Sequence, residues 1–316
     1  MLNKLLMGAA ALSLAASMAF GAQGAKFYVG DGDKEKEYMS MVNEKISSIG
    51  FVLSDPHERI NDAYKTKYGG TNLDNLGFFS VMKDADIGPL LVKEPSLGGF
   101  SPFNLHVYKK QSENKTYVGH VMPETMLDIT GVKDADVRAK FIATFPALDA
   151  MIEKEIGSKV QYVEYTALPA KPMMTFELPI ERGASLETAI ADFQGKFEEK
   201  FEENKYIIAG YKDIKASMTD ANIEFGRFDA YWVYSLCHFK FSEGIFNQGR
   251  PDAGAFAPCS MYMYIDKGSN KIMIGMPRLG TWTAVMGIKD KKMVDSINAL
   301  DVEIVKIMTE LGAKEL

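Results

Sequence analysis

Cysteine is scarce in this chain: two residues in 316, too few for a disulfide-dense scaffold or a four-cysteine zinc or iron-sulfur site. Positive charge is not in excess either. The chain has 36 Lys+Arg against 42 Asp+Glu, a formal charge of −6 and no long basic run, which argues against a nucleic-acid or anionic-membrane partner. Also missing are a Gly-rich phosphate loop followed by Lys-Ser/Thr, a dinucleotide fingerprint and a GxSxG nucleophile elbow. The histidines His57, His106, His120 and His238 show no HExxH or other two-histidine ligand spacing, and the first three read as packed or surface imidazoles. Asp31-Gly32-Asp33 opens like a calcium loop but lacks the glycine at the sixth position and the glutamate at the twelfth, so it reads as a solvated turn. These absences lean away from an enzyme.

What is present is the composition of a folded chain: 47% apolar and 25% charged residues, with a length that suits two domains of ordinary size. At the N-terminus Lys4 precedes an acid-free apolar stretch. Small residues follow at Ala19, Gly21, Ala22, Gly24 and Ala25, the pattern of a cleaved export leader rather than a full membrane span. We expect a leader over 1–25 and a periplasmic or secreted protein with no membrane span after cleavage.

The chain repeats itself at an offset of 156. Residues 81–134 lie without a gap over 237–290, with 13 identities in 54 positions, where roughly three are expected by chance. The identities include Gly88/Gly244, Pro95/Pro251, Gly98/Gly254, Phe100/Phe256, Pro102/Pro258, Gly119/Gly275 and Gly131/Gly287. Glycine and proline set special backbone angles, so the same turns occur twice. This divides the chain into a first copy over 26–157, a linker over 158–171 and a second copy over 172–316.

Periodicity predicts α+β structure in each copy. In the second, strands are expected at Lys171–Ile180, Lys205–Ile214, Asp229–Cys237, Phe256–Ile265 and Lys271–Pro277, with a short helix near Ser242–Gln248. Leu186, Ile190, Phe193, Phe197 and Phe201 mark a helix with one buried face, whose run Glu198–Glu203 is its wet side. Met293, Ile297, Leu300, Ile304, Met308 and Leu311 mark a closing helix. In the first copy Tyr38, Val42, Ile46 and Ile49 mark the early helix, and Val137, Phe141, Phe145, Leu148 and Ile152 one last helix. Helices on one face of an antiparallel sheet are the expected architecture.

Tyr231–Cys237, then a helix, then Ala257-Pro258-Cys259 before a strand resembles the domain-of-unknown-function family numbered 302. That family typically shows Cys-Asn-Pro, a helix, Leu-Pro-Cys, a strand pair and a final helix. The resemblance covers about 172–313 and, through the repeat, about 27–157. His238-Phe239 stands where the family has Asn-Pro, and Ala257 where it has Leu. In the first copy Val81 and Phe103 align with the cysteines, so that copy carries no thiol chemistry. The resemblance implies a TATA-binding-protein-like sheet gripped by helices and, since single-domain members pair, an intramolecular pseudodimer that could associate further. It implies no activity.

Cys237 ends one expected strand and Cys259 begins the next, which puts the thiols at one sheet edge if the strands are antiparallel. Three arrangements stay open. The first is a structural disulfide, whose loop of about 22 residues would add about 3 kcal/mol. The second is a redox-active or metal-binding thiol pair beside His238. The third is two separate buried thiols. Met261 and Met263 share a strand face and Met273 and Met276 lie on the next strand, soft donors suited to copper(I) or a haem edge as well as to core packing. Arg250, Pro258, Arg278, Trp282 and Tyr231 are candidates for a pocket mouth. The sequence requires no cofactor. It favours a small-molecule binding or protein-interaction module, with thiol-redox or soft-metal binding through Cys237 and Cys259 as the alternative.

Overall fold

The computed structural model describes residues 22–182, 185–247 and 249–316. The expected leader lies outside the described residues except for Ala22–Ala25, which already belong to a strand. The first copy runs β1 (Ala22–Asp31), α1 (Glu35–Ser40, prolonged by π and 3-10 turns to Ile49), β2 (Val52–His57), α2 (Ile60–Tyr68), β3 (Leu73–Met82), α3 (Asp84–Lys93), a 3-10 turn (Pro95–Phe100), β4 (Phe103–Lys110), β5 (Lys115–Val121), α4 (Pro123–Thr130), α5 (Ala135–Ile142), α6 (Pro146–Ile156) and β6 (Lys159–Tyr165). The second runs β7 (Met173–Pro179), α7 (Leu186–Glu203), β8 (Tyr206–Asp213), α8 (Ile214–Asp220), β9 (Phe228–His238), α9 (Phe239–Phe246), a 3-10 turn (Pro251–Phe256), β10 (Cys259–Asp266), β11 (Lys271–Pro277), α10 (Leu279–Val285), α11 (Lys291–Glu310) and β12 (Lys314–Glu315).

Among the described residues the strands form two separate six-stranded antiparallel sheets, ordered β2-β3-β4-β5-β1-β6 and β12-β7-β11-β10-β9-β8. Reversed, the second order is the first one strand for strand, so the α+β architecture is one layout used twice. The repeated residues do the same work in both copies. Asp134 and Asp290 accept the backbone N–H of Val137 and Met293 and start the last helices. Gly131 and Gly287, at positive φ, turn the chain after α4 and α10.

Three details differ from the sequence expectation. The last helix of the first copy breaks into α5 and α6 at Pro146, because proline lacks the N–H and its ring clashes with the carbonyl four residues back. The stretch read as a linker opens with β6, which pairs with β1 from Tyr165 opposite Ala22 to Lys159 opposite Val29. The strand expected from Phe256 begins at Cys259, since Pro251–Phe256 coils as a 3-10 turn.

One face of each sheet is covered by its own long helices. In the second copy Phe193, Phe197 and Phe201 of α7 are buried, and Phe197 stacks on Tyr234 of β9 at 4.8 Å. The other face is covered by the opposite copy. The turn Pro95–Phe100 lies on the second sheet, where the Tyr231 hydroxyl donates to Pro95 O at 2.6 Å. The turn Pro251–Phe256 lies on the first sheet, where His106 Nε2 meets Pro251 O at 2.8 Å and Asn104 donates to Gly254 O at 2.7 Å. Phe100 and Phe256, equivalent in the repeat, meet edge to face at 5.4 Å. A Cβ on Gly98 would overlap the Tyr231 hydroxyl, and one on Gly254 would lie 2.5 Å from the His106 ring, so this seating requires glycine at both places. An ion pair between Lys212 and Asp84 (3.1 Å) and a hydrogen bond from Tyr64 to Ser242 (2.8 Å) flank the same junction.

His106 is fully buried, and burial pushes its imidazole down to about 4, with its two carbonyl contacts offsetting only part of that. The folded ring is therefore neutral at pH 7. From pH 6.5 down to about 4 the unfolded chain binds the proton more readily, so this contribution is intact above pH 6.5 and falls by about 3 kcal/mol across that window. Urea midpoints measured between pH 8 and 4 are expected to drop more steeply for the wild type than for His106→Gln; parallel profiles would contradict the assignment.

Candidate functional site

The cysteines are not opposite one another in the strand ladder, although both contribute to the lining of one cleft. Cys259 is paired with Leu236, while Cys237 lies one residue further along β9. Neighbouring strand residues face opposite sides, so a one-residue step sends Cys237 to the other face. The sequence repeat sets Val81 and Phe103 against the two cysteines, and in the first sheet Val81 does pair with Phe103. The second copy is displaced by one residue along this strand: Leu236 takes the place of Val81 and Cys237 that of Met82. Both thiols are free. Cys237 turns toward the first copy, where its Sγ is 3.8 Å from Ser242 Oγ, the same hydroxyl that Tyr64 contacts. Cys259 lies on the helix side.

Above Cys259 a cleft of about 40 Å³ opens between β9, β10 and α11, walled by Phe241, Met276, Leu279, Trp282, Leu300 and Ile304, with Tyr206, Cys237, His238 and Pro258 also on its lining. One water needs roughly 10–15 Å³ on this scale, so the cleft admits several non-hydrogen atoms. The matching place in the first copy, lined by Phe51, Val81, Phe103 and Phe145, retains only about 10 Å³. There Phe103 and Phe145 pack at 4.9 Å; the second copy has Cys259 and Asp301 instead. Asp301 also has a local reason. In the first copy α4 starts at Pro123, which has no N–H to satisfy. In the second, Leu279 and Gly280 donate their N–H groups to the Asp301 carboxylate at 2.7 and 2.9 Å. Exchanging Pro for Leu and Phe for Asp thus caps the helix and empties the space.

The remaining candidates are placed as follows. Trp282 walls the cleft, with its indole N–H held by Ala253 O at 2.8 Å. His238 caps α9, its Nδ1 accepting the Phe241 N–H at 3.2 Å. Arg250 is committed to Asp252 by a two-pronged bond (3.0 and 2.9 Å) and to Gly287 O at 3.2 Å. Arg278 pairs with Glu315. Tyr231 is fully buried at the junction of the copies, where its hydroxyl donates to Pro95 O. The methionines do not converge: Met261, Met263 and Met276 face the helices, whereas Met273, opposite Tyr264, faces the first copy. Among the described residues no group of three His, Cys, Asp or Glu side chains is arranged to hold a metal, and no helix is long and apolar enough to cross a membrane.

Sequence reasoning missed a polar cluster in the first copy. Lys26 Nζ lies 2.5 Å from Asp149 Oδ2, and the buried His120 presents Nε2 to Asp149 Oδ1 at 3.0 Å. Burial alone would raise the Asp149 carboxyl, but His120 and Lys26 hold it below the usual carboxylate range. Tyr28, on the same face of β1, is raised by burial and by Asp149. In the second sheet, register places Met174 opposite Met276 where the first has Lys26 opposite His120, and Phe176 and Val305 replace Tyr28 and Asp149. The signal was the alignment of His120 with Met276: a histidine whose counterpart is a core residue lies inside.

Burial pushes the Cys237 thiol up to about 11 and raises Cys259 above the ordinary range, so neither is a thiolate at neutral pH. Iodoacetamide at pH 7 should alkylate both in the native chain at least about 100-fold more slowly than in urea, with the rate climbing toward pH 9. Peptide mass spectrometry over time reads this, and equal native and unfolded rates would refute it.

No protein-family model and no curated protein sequence matches the chain. Among solved structures it is similar to the crystal structure of an uncharacterised conserved protein from Bacillus stearothermophilus, assigned to the domain-of-unknown-function family numbered 302, with 13% identity and a TM-score of 0.33 over 43% of this chain and 94% of that one.

Proposed function

We propose that the chain is an exported binding module whose second copy holds a small, mostly apolar molecule in the cleft above Cys259, with the first copy as its structural partner. The observation that carries this reading is the contrast at one position used twice. The same backbone is packed solid by Phe103 and Phe145 in the first copy and left open by Cys259 and Asp301 in the second. An unfilled space forfeits contacts that its lining would otherwise make, and the walls are apolar with few polar groups, the usual chemistry of a small-molecule site. A thiol-redox or soft-metal role has less support, because burial holds both thiols protonated and among the described residues no group of three His, Cys, Asp or Glu side chains is arranged to hold a metal.

Xenon, a single apolar atom, serves as the probe suited to a space of this size. It should saturate the cleft and perturb the environment of Trp282, read by fluorescence and by methyl shifts of Leu279, Leu300 and Ile304. Cys259→Phe, which installs the residue that fills the first copy, should abolish saturation while leaving Tm unchanged or higher. Saturation that survives this substitution, or none in the wild type, would overturn the reading.

Export is part of the same proposal, and the pairing of β1 supports a particular cut. Gln23 O accepts the Thr125 hydroxyl at 2.7 Å, Gly24 O accepts the Met122 N–H at 2.9 Å, and Ala25 is buried. A cut after Ala25 would strip these contacts, whereas a cut after Gly21, with Ala19 and Gly21 as the small residues flanking the site, spares them. The exported protein is expected to begin at Ala22 by N-terminal sequencing; a start at Lys26 or an uncut chain would contradict this.

A further inference from the structure

One wall of the cleft is α9, whose Phe241, Ser242 and Phe246 line the space. Much of what holds this helix belongs to the first copy. Ser242 spends its proton on Phe239 O at 2.8 Å, so the Tyr64 hydroxyl of α2 donates to Ser242 Oγ, also at 2.8 Å. The Tyr64 ring packs on Phe239 at 5.0 Å, and Phe78 of β3 meets Phe246 at 5.5 Å. Just past the end of α9, Asn247 Oδ1 accepts the Asn72 N–H at 2.7 Å and the Thr71 hydroxyl at 3.0 Å, while the Asn72 side-chain amide donates to Asn247 O at 3.0 Å. Tyr64 and Asn247 are buried, so a lost bond here leaves its partner unpaired and dry. The opposite junction is built differently. There Met218 of α8 and Ile223 close over Gly88 of α3, where a Cβ would lie 2.4 Å from the Met218 sulfur. That apolar contact stands beside the filled space of the first copy, which Ile87 of α3 lines; the hydrogen-bonded one stands beside the open cleft.

We infer that Tyr64 and Asn72 are positioning residues for the cleft: the first copy fixes α9 and thereby sets the width of the site in the second. This rests on the cleft being a binding site. Neither residue lines the space. Each acts through the helix, Tyr64 on its first turn by way of Ser242 and Asn72 beyond its last by way of Asn247. With eight residues, α9 is too short to hold its shape and place unaided, so it depends on what it packs against. A cleft this small responds to a slight shift of one wall, because dispersion contacts weaken steeply with distance. Firm seating of α2 on α9 therefore favours the occupied cleft, and by linkage an occupant tightens that seating in return.

Xenon titration of the exported chain, read by xenon NMR and Trp282 fluorescence, tests the assignment. Tyr64→Phe, which deletes the bond to Ser242, and Asn72→Ala, which deletes the bond to Asn247 O, are each expected to weaken xenon about threefold or more in a chain that is still folded. Asp134→Ala, which removes a helix cap elsewhere in the first copy, should leave the affinity unchanged. Saturating xenon should slow hydrogen exchange at the Asn72 N–H but not at the Val137 N–H that Asp134 holds. Wild-type affinity in both Tyr64→Phe and Asn72→Ala, an equal loss in Asp134→Ala, or exchange at Asn72 that ignores xenon overturns this inference and leaves the cleft standing as an apolar site. Failure of xenon to saturate the wild type, with Cys259→Phe indistinguishable from it, removes the underlying reading.

Discussion

Each sheet in this protein has a second face that its own helices do not cover, and each copy supplies one short turn to cover the other's. Proline at the start of both turns exposes a carbonyl to the opposite sheet, and a buried polar side chain meets it: His106 in the first sheet, Tyr231 in the second. These side chains come from non-equivalent strands, β4 and β9, so the symmetry belongs to the backbone while the side-chain solutions differ. Because unpaired carbonyls in a dry interior are costly, neither sheet is complete without the other copy. The two domains are thus one cooperative body, and the turns with their glycines are what the rest of the arrangement depends on.

Duplication leaves two equivalent interiors that have diverged in opposite directions. Beneath the helices of the first copy Lys26, His120 and Asp149 form a charged cluster with Tyr28, while the space beside Phe103 and Phe145 is filled. In the second copy that charged cluster is replaced by Met174, Met276, Val305 and Phe176, and the space is open. A buried ionic group is kept stable by mutual pairing rather than by packing, so the first copy's interior tolerates polar residues only as a set. The second has exchanged another set: Pro123 for Leu279, Phe145 for Asp301, Phe51 for Tyr206. Two of those changes, Asp301 and Tyr206, add a polar side chain near the cleft, and Asp301 is satisfied by the helix it caps.

The cysteines illustrate how a rare residue draws attention away from the chemistry around it. Both thiols are surrounded by protein and protonated, and both contribute to the cleft lining, with Cys237 also reaching Ser242 at the junction of the copies. Cys259 matters chiefly through its size: it leaves room where its counterpart is phenylalanine. The histidine beside Cys237 is occupied as a helix cap, and the soft donors face two sides of a sheet.

The repeat, the α+β class and most strand and helix spans were legible in the sequence, because apolar periodicity and repeated glycine and proline act locally. Pro146 was equally visible, yet its break in the last helix was hidden by an apolar stripe that continues across it through Phe145 and Leu148. The relation between Cys237 and Cys259 was not legible. A gapless sequence alignment cannot register a one-residue displacement between paired strands, and that single step reverses which face a side chain occupies. Nor could the sequence reveal the cleft, since emptiness arises from what Cys259 and Asp301 fail to fill when β10 and α11 are brought together. Sequence alone determined which elements form and that they form twice. Only the tertiary structure decided which faces meet, because contacts among residues far apart in the chain depend on register and volume rather than on local propensity.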